Sequence, residues 1–271
     1  MATSWEIVQE ANILPKLDYP VFIEGLPGIG NVGKLAVDFL IEEFKAKKLY
    51  SFFSYKFPHS VFVNPENLVE MPKLEIYYKR FTSKNGKKKD ILLLTGDIQP
   101  IDEESTYSFS EEVLNVAKLF RCSEMITTGG IGLQEIPDEP KIFCTSNDEK
   151  TYQSYTKKGS GVEKDIFGVV GPIIGVSGTL LGLGKRRNVN GVALLAETFG
   201  HPLYLGIKGA KEILRVLEKR FKWGIDLEKM GKEIVEIEME LMKKTTEWAT
   251  EISSSHQAGA KLKSHDVSYI G

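Results

Sequence analysis

With 271 residues, 42% hydrophobic and 27% charged, the chain is long and apolar enough to fold around a real core, which excludes wholesale disorder. Its 35 basic residues against 37 acidic ones leave a formal net charge of −2, so composition gives no support for nucleic-acid binding. Cys122 and Cys144 are too few and too far apart for a disulfide framework or a zinc cluster; a reducing, cytoplasmic setting without a metal is expected.

The N-terminal residues lack a basic stretch, and Pro15, Lys16 and Asp18 break the apolar run a leader would need, so no signal peptide is expected. Val21-Phe22-Ile23 reads as a buried strand entering a tight loop at Gly25-Leu26-Pro27-Gly28. Asn31 is a good N-cap for a helix that carries Leu35, Phe39 and Leu40 at helical spacing to Phe44. A strand is expected over 49–57. Two more, over 74–78 and 91–94, flank Asn85-Gly86, a pair that tolerates positive φ and signals a hairpin. Residues 110–120 form a helical stripe through Val113, Leu114 and Ala117. Residues 125–128 form a strand ending in a glycine turn at Gly129-Gly130-Ile131-Gly132, and 141–145 another strand. Residues 166–184 carry no charge, yet dense glycines argue for a strand, a tight turn and a short buried helix rather than a membrane span. Gly191-Val192-Ala193-Leu194-Leu195 is a buried strand, and 208–221 a helix with Ile213, Leu214, Val216 and Leu217 inward. Beyond Gly224 and the capping Asp226, the residues Leu227, Met230, Ile234, Ile237, Leu241 and Trp248 follow alternating steps of three and four, with Lys244 filling the missing step. Such a seam serves either packing on the sheet or subunit contact. From Ser253 the chain loses apolar periodicity and is expected to be a flexible tail, with late anchors at Val267, Tyr269 and Ile270 before Gly271.

Strands alternating with helices predict an α/β protein with a mixed, largely parallel sheet and C-terminal helices. The expected divisions are a core domain over 1–205, a helical extension over 206–252 and a tail over 253–271. Gly28-Ile29-Gly30-Asn31-Val32-Gly33 matches G-x-G-x-x-G between strand and helix, where glycines admit a phosphate to backbone amides. A dinucleotide site would also need a carboxylate at the end of the second strand, and the nearest one downstream is Glu66. Leu35 after Lys34 removes the hydroxyl of a P-loop. The glycine segments at 28–33, 129–132 and 171–178 are each expected to come after a strand and to gather at the carboxyl edge of the sheet. Gly28, Gly30, Asn31, Gly33, Gly129 and Gly130 are therefore the candidate ligand loop. Ser177 lacks the last glycine of a nucleophile elbow, and His59 and His201 read as turn or surface residues. Glu24, Asp97, Glu135 and Glu197 stand at expected strand ends, where they either converge or act as caps. These residues describe a pocket more readily than a catalyst.

The run from Val21 to Gly33 resembles the opening motif of the PAC2 family, archaeal relatives of proteasome assembly chaperones. Leu93-Leu94-Thr95-Gly96-Asp97-Ile98-Gln99-Pro100, Thr127-Thr128-Gly129-Gly130 and Gly191-Val192-Ala193-Leu194-Leu195-Ala196-Glu197-Thr198 are also similar to that family, in order. The resemblance implies a nucleoside-phosphorylase-like three-layer α/β sandwich without phosphorylase chemistry and without a cofactor. It also implies homo-oligomers built with C-terminal helices, here through Met230, Ile234, Ile237, Leu241 and Trp248. Partners would be further copies, in a cyclic array, and other proteins such as proteasome subunits or a proteasome-linked adaptor, with no nucleic acid and no membrane. Some members dock on the proteasome through a C-terminal hydrophobic-Tyr-X tripeptide. This chain departs from it, since Tyr269-Ile270-Gly271 places the tyrosine third from the end. Val267, Tyr269, Ile270 and Gly271 remain the candidate docking tail. The competing expectation is a nucleotide- or phosphate-binding protein, or an enzyme, that uses the glycine loops.

Overall fold

Val21–Glu24 is buried along its whole length because it lies in the middle of an eight-stranded sheet. The computed structural model describes residues 5–81, 89–164, 166, 168, 171–202 and 204–229. Its main sheet contains β1 (Glu6–Gln9), β2 (Val21–Glu24), β3 (Lys47–Phe53), β6 (Leu74–Lys79), β7 (Ile91–Gly96), β8 (Glu124–Leu133), β9 (Ile142–Ser146) and β10 (Gly191–Phe199). Their spatial order is β1-β3-β6-β7-β2-β8-β10-β9. The four inner strands β7, β2, β8 and β10 are parallel, and antiparallel strands flank them on both sides. β4 (Phe62–Val63) and β5 (Val69–Glu70) form a separate antiparallel hairpin.

Helices cover both faces, which makes the expected three-layer α/β sandwich. α1 (Val32–Glu43) and α5 (Ile207–Phe221) pack together over β7, β8 and β10. α2 (Glu103–Leu119) and α4 (Val176–Arg186) pair on the other side, where Phe22, Leu92 and Leu94 meet Phe109, Val113 and Leu180. Short α3 (Glu149–Tyr155) packs on β9. Since side chains alternate along a strand, β2 serves both layers, with Phe22 facing α2 and α4 while Ile23 faces α1 and α5. α5 buries Ile213, Leu214, Val216 and Leu217, as its stripe predicts. It belongs to a compact unit that extends to Leu227; of the second unit, from Glu228 onward, only Glu228 and Lys229 are described.

Several expectations are corrected. α2 begins seven residues before the predicted 110, because the Asp102 carboxylate caps Ser105 N at 2.8 Å and starts the helix in polar sequence. β8 does not stop at Thr128 but runs on through the glycines to Leu133, paired with β10. Asn31 does sit at the head of α1 but makes no side-chain cap; it adopts the left-handed region at φ 50°, which asparagine tolerates. In the uncharged segment the short helix is α4, while the described residues before it, 171–175, form no strand. β6 and β7 pair as predicted, but the Asn85-Gly86 turn lies outside the described residues. No helix among the described residues is long and apolar enough to cross a membrane.

Candidate functional site

The carboxyl ends of the parallel strands border a cleft of about 840 Å3. Pro27, Gly28 and Ile29 contribute to it from the first glycine loop, Thr128 to Gly130 from β8, and residues 171–175 with Ser177 from the approach to α4. All three glycine segments thus reach one place, as expected, but they differ in role. Gly30 is a true turn glycine: its φ is +60°, its carbonyl accepts Gly206 N at 2.7 Å, and a Cβ there would lie 2.7 Å from Thr198 Oγ1. Gly129 to Gly132 form no turn. They lie in β8, and a Cβ on Gly130 would stand 2.3 Å from the Ile29 carbonyl oxygen, so glycine there lets the loop backbone rest on the strand. The third segment comes after no described strand and enters the cleft through the start of α4.

Beneath this cleft lies Glu24, the last residue of β2 and completely buried. Ser177 Oγ donates to its Oε2 at 2.9 Å, and Leu26 N donates to Oε1 at 3.2 Å. Among the described residues no cation pairs with it. Burial raises its pKa from 4.5 to about 7 against the lowering effect of the Ser177, Leu26 and Thr128 hydrogen bonds, so the carboxyl is largely protonated in mildly acidic solution. Thr127, its neighbour across the β2–β8 ladder, carries a buried Oγ1 with no hydrogen-bond partner among the described residues.

The other sequence candidates do not join Glu24. Asp97 accepts Lys73 N at 3.1 Å, Glu197 accepts Lys141 N at 3.0 Å, and Glu135 is exposed. His59 is exposed, and exposed His201 stacks on Phe199 at 5.7 Å between ring centroids. Ser177 faces a carboxyl rather than a histidine. Cys122 and Cys144 are free thiols, and burial pushes both up to about 12, which keeps them protonated and unreactive. Among the described residues no group of three His, Cys, Asp or Glu could hold a metal ion.

The match to the PAC2 family model extends over residues 22–245, most of the chain. The chain belongs to the PAC2 family. An uncharacterized protein of Methanocaldococcus jannaschii, MJ1210, is 27% identical over 267 residues, covering 98% of this chain and 97% of that protein. Among solved structures, Pyrococcus furiosus PbaB, described as an archaeal proteasome activator, is 34% identical, with 90% of this chain and 99% of that one covered and a TM-score of 0.78. Pyrococcus furiosus PbaA, described as an archaeal homolog of proteasome-assembly chaperone, shares the fold at 24% identity, with 94% and 97% covered and a TM-score of 0.72.

For this PAC2 protein the expected seam (Met230, Ile234, Ile237, Leu241, Trp248) and the tail (Val267, Tyr269, Ile270, Gly271) lie outside the described residues. Sequence reading missed a different apolar feature. The β4–β5 hairpin leaves Phe62, Val63, Leu68 and Val69 between 44% and 71% exposed. Its tip is fixed by Asn64, whose Oδ1 accepts Glu66 N and Leu68 N at 3.1 and 2.9 Å. The signal was available: Asn64-Pro65-Glu66-Asn67 is turn chemistry between two apolar runs.

Proposed function

We propose that the chain is a non-catalytic, homo-oligomeric assembly factor or adaptor, cytoplasmic, whose partners are proteasome subunits or a protein that contacts them. The observation that carries this reading is the likeness to the Pyrococcus furiosus activator, at 34% identity over 90% of the chain. The exposed β4–β5 hairpin supports it, since contiguous apolar surface of this kind marks protein–protein contact. In this reading Met230, Ile234, Ile237, Leu241 and Trp248 join subunits of a closed ring, and Val267 to Gly271 engage the partner. The test incubates purified chain with purified α subunits and assembled 20S proteasome from the same source, and tracks co-migration by native gel and light scattering. A complex that is lost on deleting residues 261–271, with the oligomer unchanged, is the expected result. No complex with either species refutes direct binding to proteasome subunits and leaves only the adaptor form of the reading, which a pull-down from native cell extract that recovers no proteasome-bound protein refutes; a complex indifferent to the deletion removes the tail from it.

The convergence of the glycine segments on one cleft favours a second reading, a small nucleotide or phosphate held at Gly28, Gly33, Gly129 and Gly130; Gly30 and Asn31 of the candidate loop do not line that cleft. Gly28 is the position to test. Its φ of −163° is open to any residue, and a Cβ there meets nothing within 4 Å. Calorimetric binding of inorganic phosphate or AMP that disappears in Gly28→Leu would establish this reading, and no heat with either ligand would end it.

A further inference from the structure

A second cleft, of about 880 Å3, lies away from the glycine loops, between the start of β9, the loop after α3 and the outer face of α5. Although the whole chain carries a net charge of −2, seven basic residues line this cleft against four acidic ones. Lys157 and Lys158 open the loop, Lys164 closes it, Lys141 precedes β9, and Lys211 and Arg215 stand one turn apart on α5. Arg215 is tied to Glu212 by an ion pair, which removes one charge of each sign. Lys141, Lys157, Lys158, Lys164 and Lys211 make no ion pair among the described residues. The positive charge of the cleft is therefore left over after internal pairing.

The loop is shaped by its backbone rather than by packing. Gly159 and Gly161 hold φ of +82° and +85°, and a Cβ on Gly159 would meet nothing within 4 Å. Glu163 N donates to Ile142 O at 2.7 Å and lays the end of the loop along β9, the last strand of the sheet. The result is an open trough with an excess of positive charge. Lysines clustered in excess of their counter-charges repel one another, and a partner of opposite sign removes that repulsion.

We propose that this trough is a docking surface for an acidic extended segment of a partner protein. Its size fits several residues of polypeptide and far exceeds one phosphate. Asp138, Glu139, Glu163 and Glu212 interrupt the positive charge. Such interruption suits a peptide of alternating character and opposes the unbroken charge of a nucleic-acid backbone. Among the described residues the lining also has no aromatic side chain on which a base could stack. The surface is separate from the glycine cleft, and its recognition chemistry does not depend on the function proposed above.

The experiment uses the full chain and a fluorescent peptide of alternating glutamate and serine, read by anisotropy across a salt series. Binding is expected at low salt, weakening as salt rises, and weakening by about tenfold or more when Lys157, Lys158 and Lys211 are all changed to Glu. A control with exposed Lys16, Lys47 and Lys118 changed to Glu carries the same net charge and is expected to bind as the unaltered chain does. Equal thermal melting of both variants shows that the fold is retained, and a variant that melts early is replaced by the corresponding Lys→Gln set. Absence of binding, or equal losses in the two variants, overturns the proposal. So does a charge-matched oligothymidylate that binds the unaltered chain more tightly than the peptide, because the trough would then be a general polyanion site.

Discussion

Glu24→Gln separates the electrostatic cost of the buried carboxyl from its packing, because glutamine keeps the shape and cannot ionise. In the native protein the carboxyl titrates at about 7, against 4.5 for a solvated glutamate. Below pH 4.5 both native and unfolded chains hold the proton, and the group has no effect on stability. Between 4.5 and 7 the native chain holds a proton that the unfolded chain has lost, so stability falls as pH rises. Above 7 both are ionised and the full penalty stands, about 3 kcal/mol at about 1.4 kcal/mol per tenfold change. Glutamine introduces a buried amide N–H2 that costs an offset of about 1–3 kcal/mol at every pH if it finds no acceptor, so the diagnostic quantity is the slope. Urea denaturation from pH 5 to 8.5 is expected to show the variant gaining about 2–3 kcal/mol relative to the unaltered chain over that span. Ser177→Ala removes the donor that lowers the pKa and should carry the sloping region above pH 7. Parallel stability profiles for Glu24→Gln and the unaltered chain would refute the assignment and mean that water reaches the carboxyl in the native state.

Three further outcomes can be measured. Trp223 is 2% exposed, stacks on Phe221 and Phe81 and donates Nε1 to Lys89 O at 2.8 Å, so Trp223→Ala should cost about 3–5 kcal/mol in chemical denaturation. Gly30→Val should cost several kcal/mol, since it places a β-branched residue at φ +60° against Thr198, whereas Gly28→Leu should melt within a few degrees of the unaltered chain. Equal melting of that pair would show that the loop does not hold the described backbone. For the proposed oligomer seam, which lies outside the described residues, Ile237→Asp is expected to reduce the particle to monomers in light scattering while leaving the circular dichroism intact; loss of the fold would place the seam inside its own subunit.

How far the sequence announces this structure depends on whether the deciding contact is local. β2, β10 and α5 were legible because Val21-Phe22-Ile23, the apolar run after Gly191 and the stripe through Ile213 and Leu217 carry their burial in their own periodicity. The first turns of α2 were not, because their buried side chains are polar. Thr106 Oγ1 donates to Asp102 O at 2.8 Å and Ser110 Oγ to Thr106 O at 2.8 Å, so hydroxyls satisfied by the helix itself fill core positions and read as surface. The site shows the same division. Glu24 could be placed at a strand end from its neighbours, but the hydroxyl that hydrogen-bonds its buried carboxyl belongs to Ser177, 153 residues away, and no spacing rule joins them.

The two glycine segments of the candidate ligand loop make the limit concrete. Gly30 holds a positive φ in a turn, which local chemistry can foretell. Gly130 is an ordinary strand residue that must be glycine because Ile29 lies across it, a fact created by the register of β8 against β10 and by the path of a loop a hundred residues earlier. The basic trough is a stronger case still, since Lys141, Lys157, Lys164 and Lys211 are scattered over 70 residues of chain with no local run long enough to mark a site. A charge pattern becomes recognition chemistry here only when β9, the loop after α3 and α5 are brought to one edge. Binding surfaces of this kind are therefore found from the fold downward to its exposed charges.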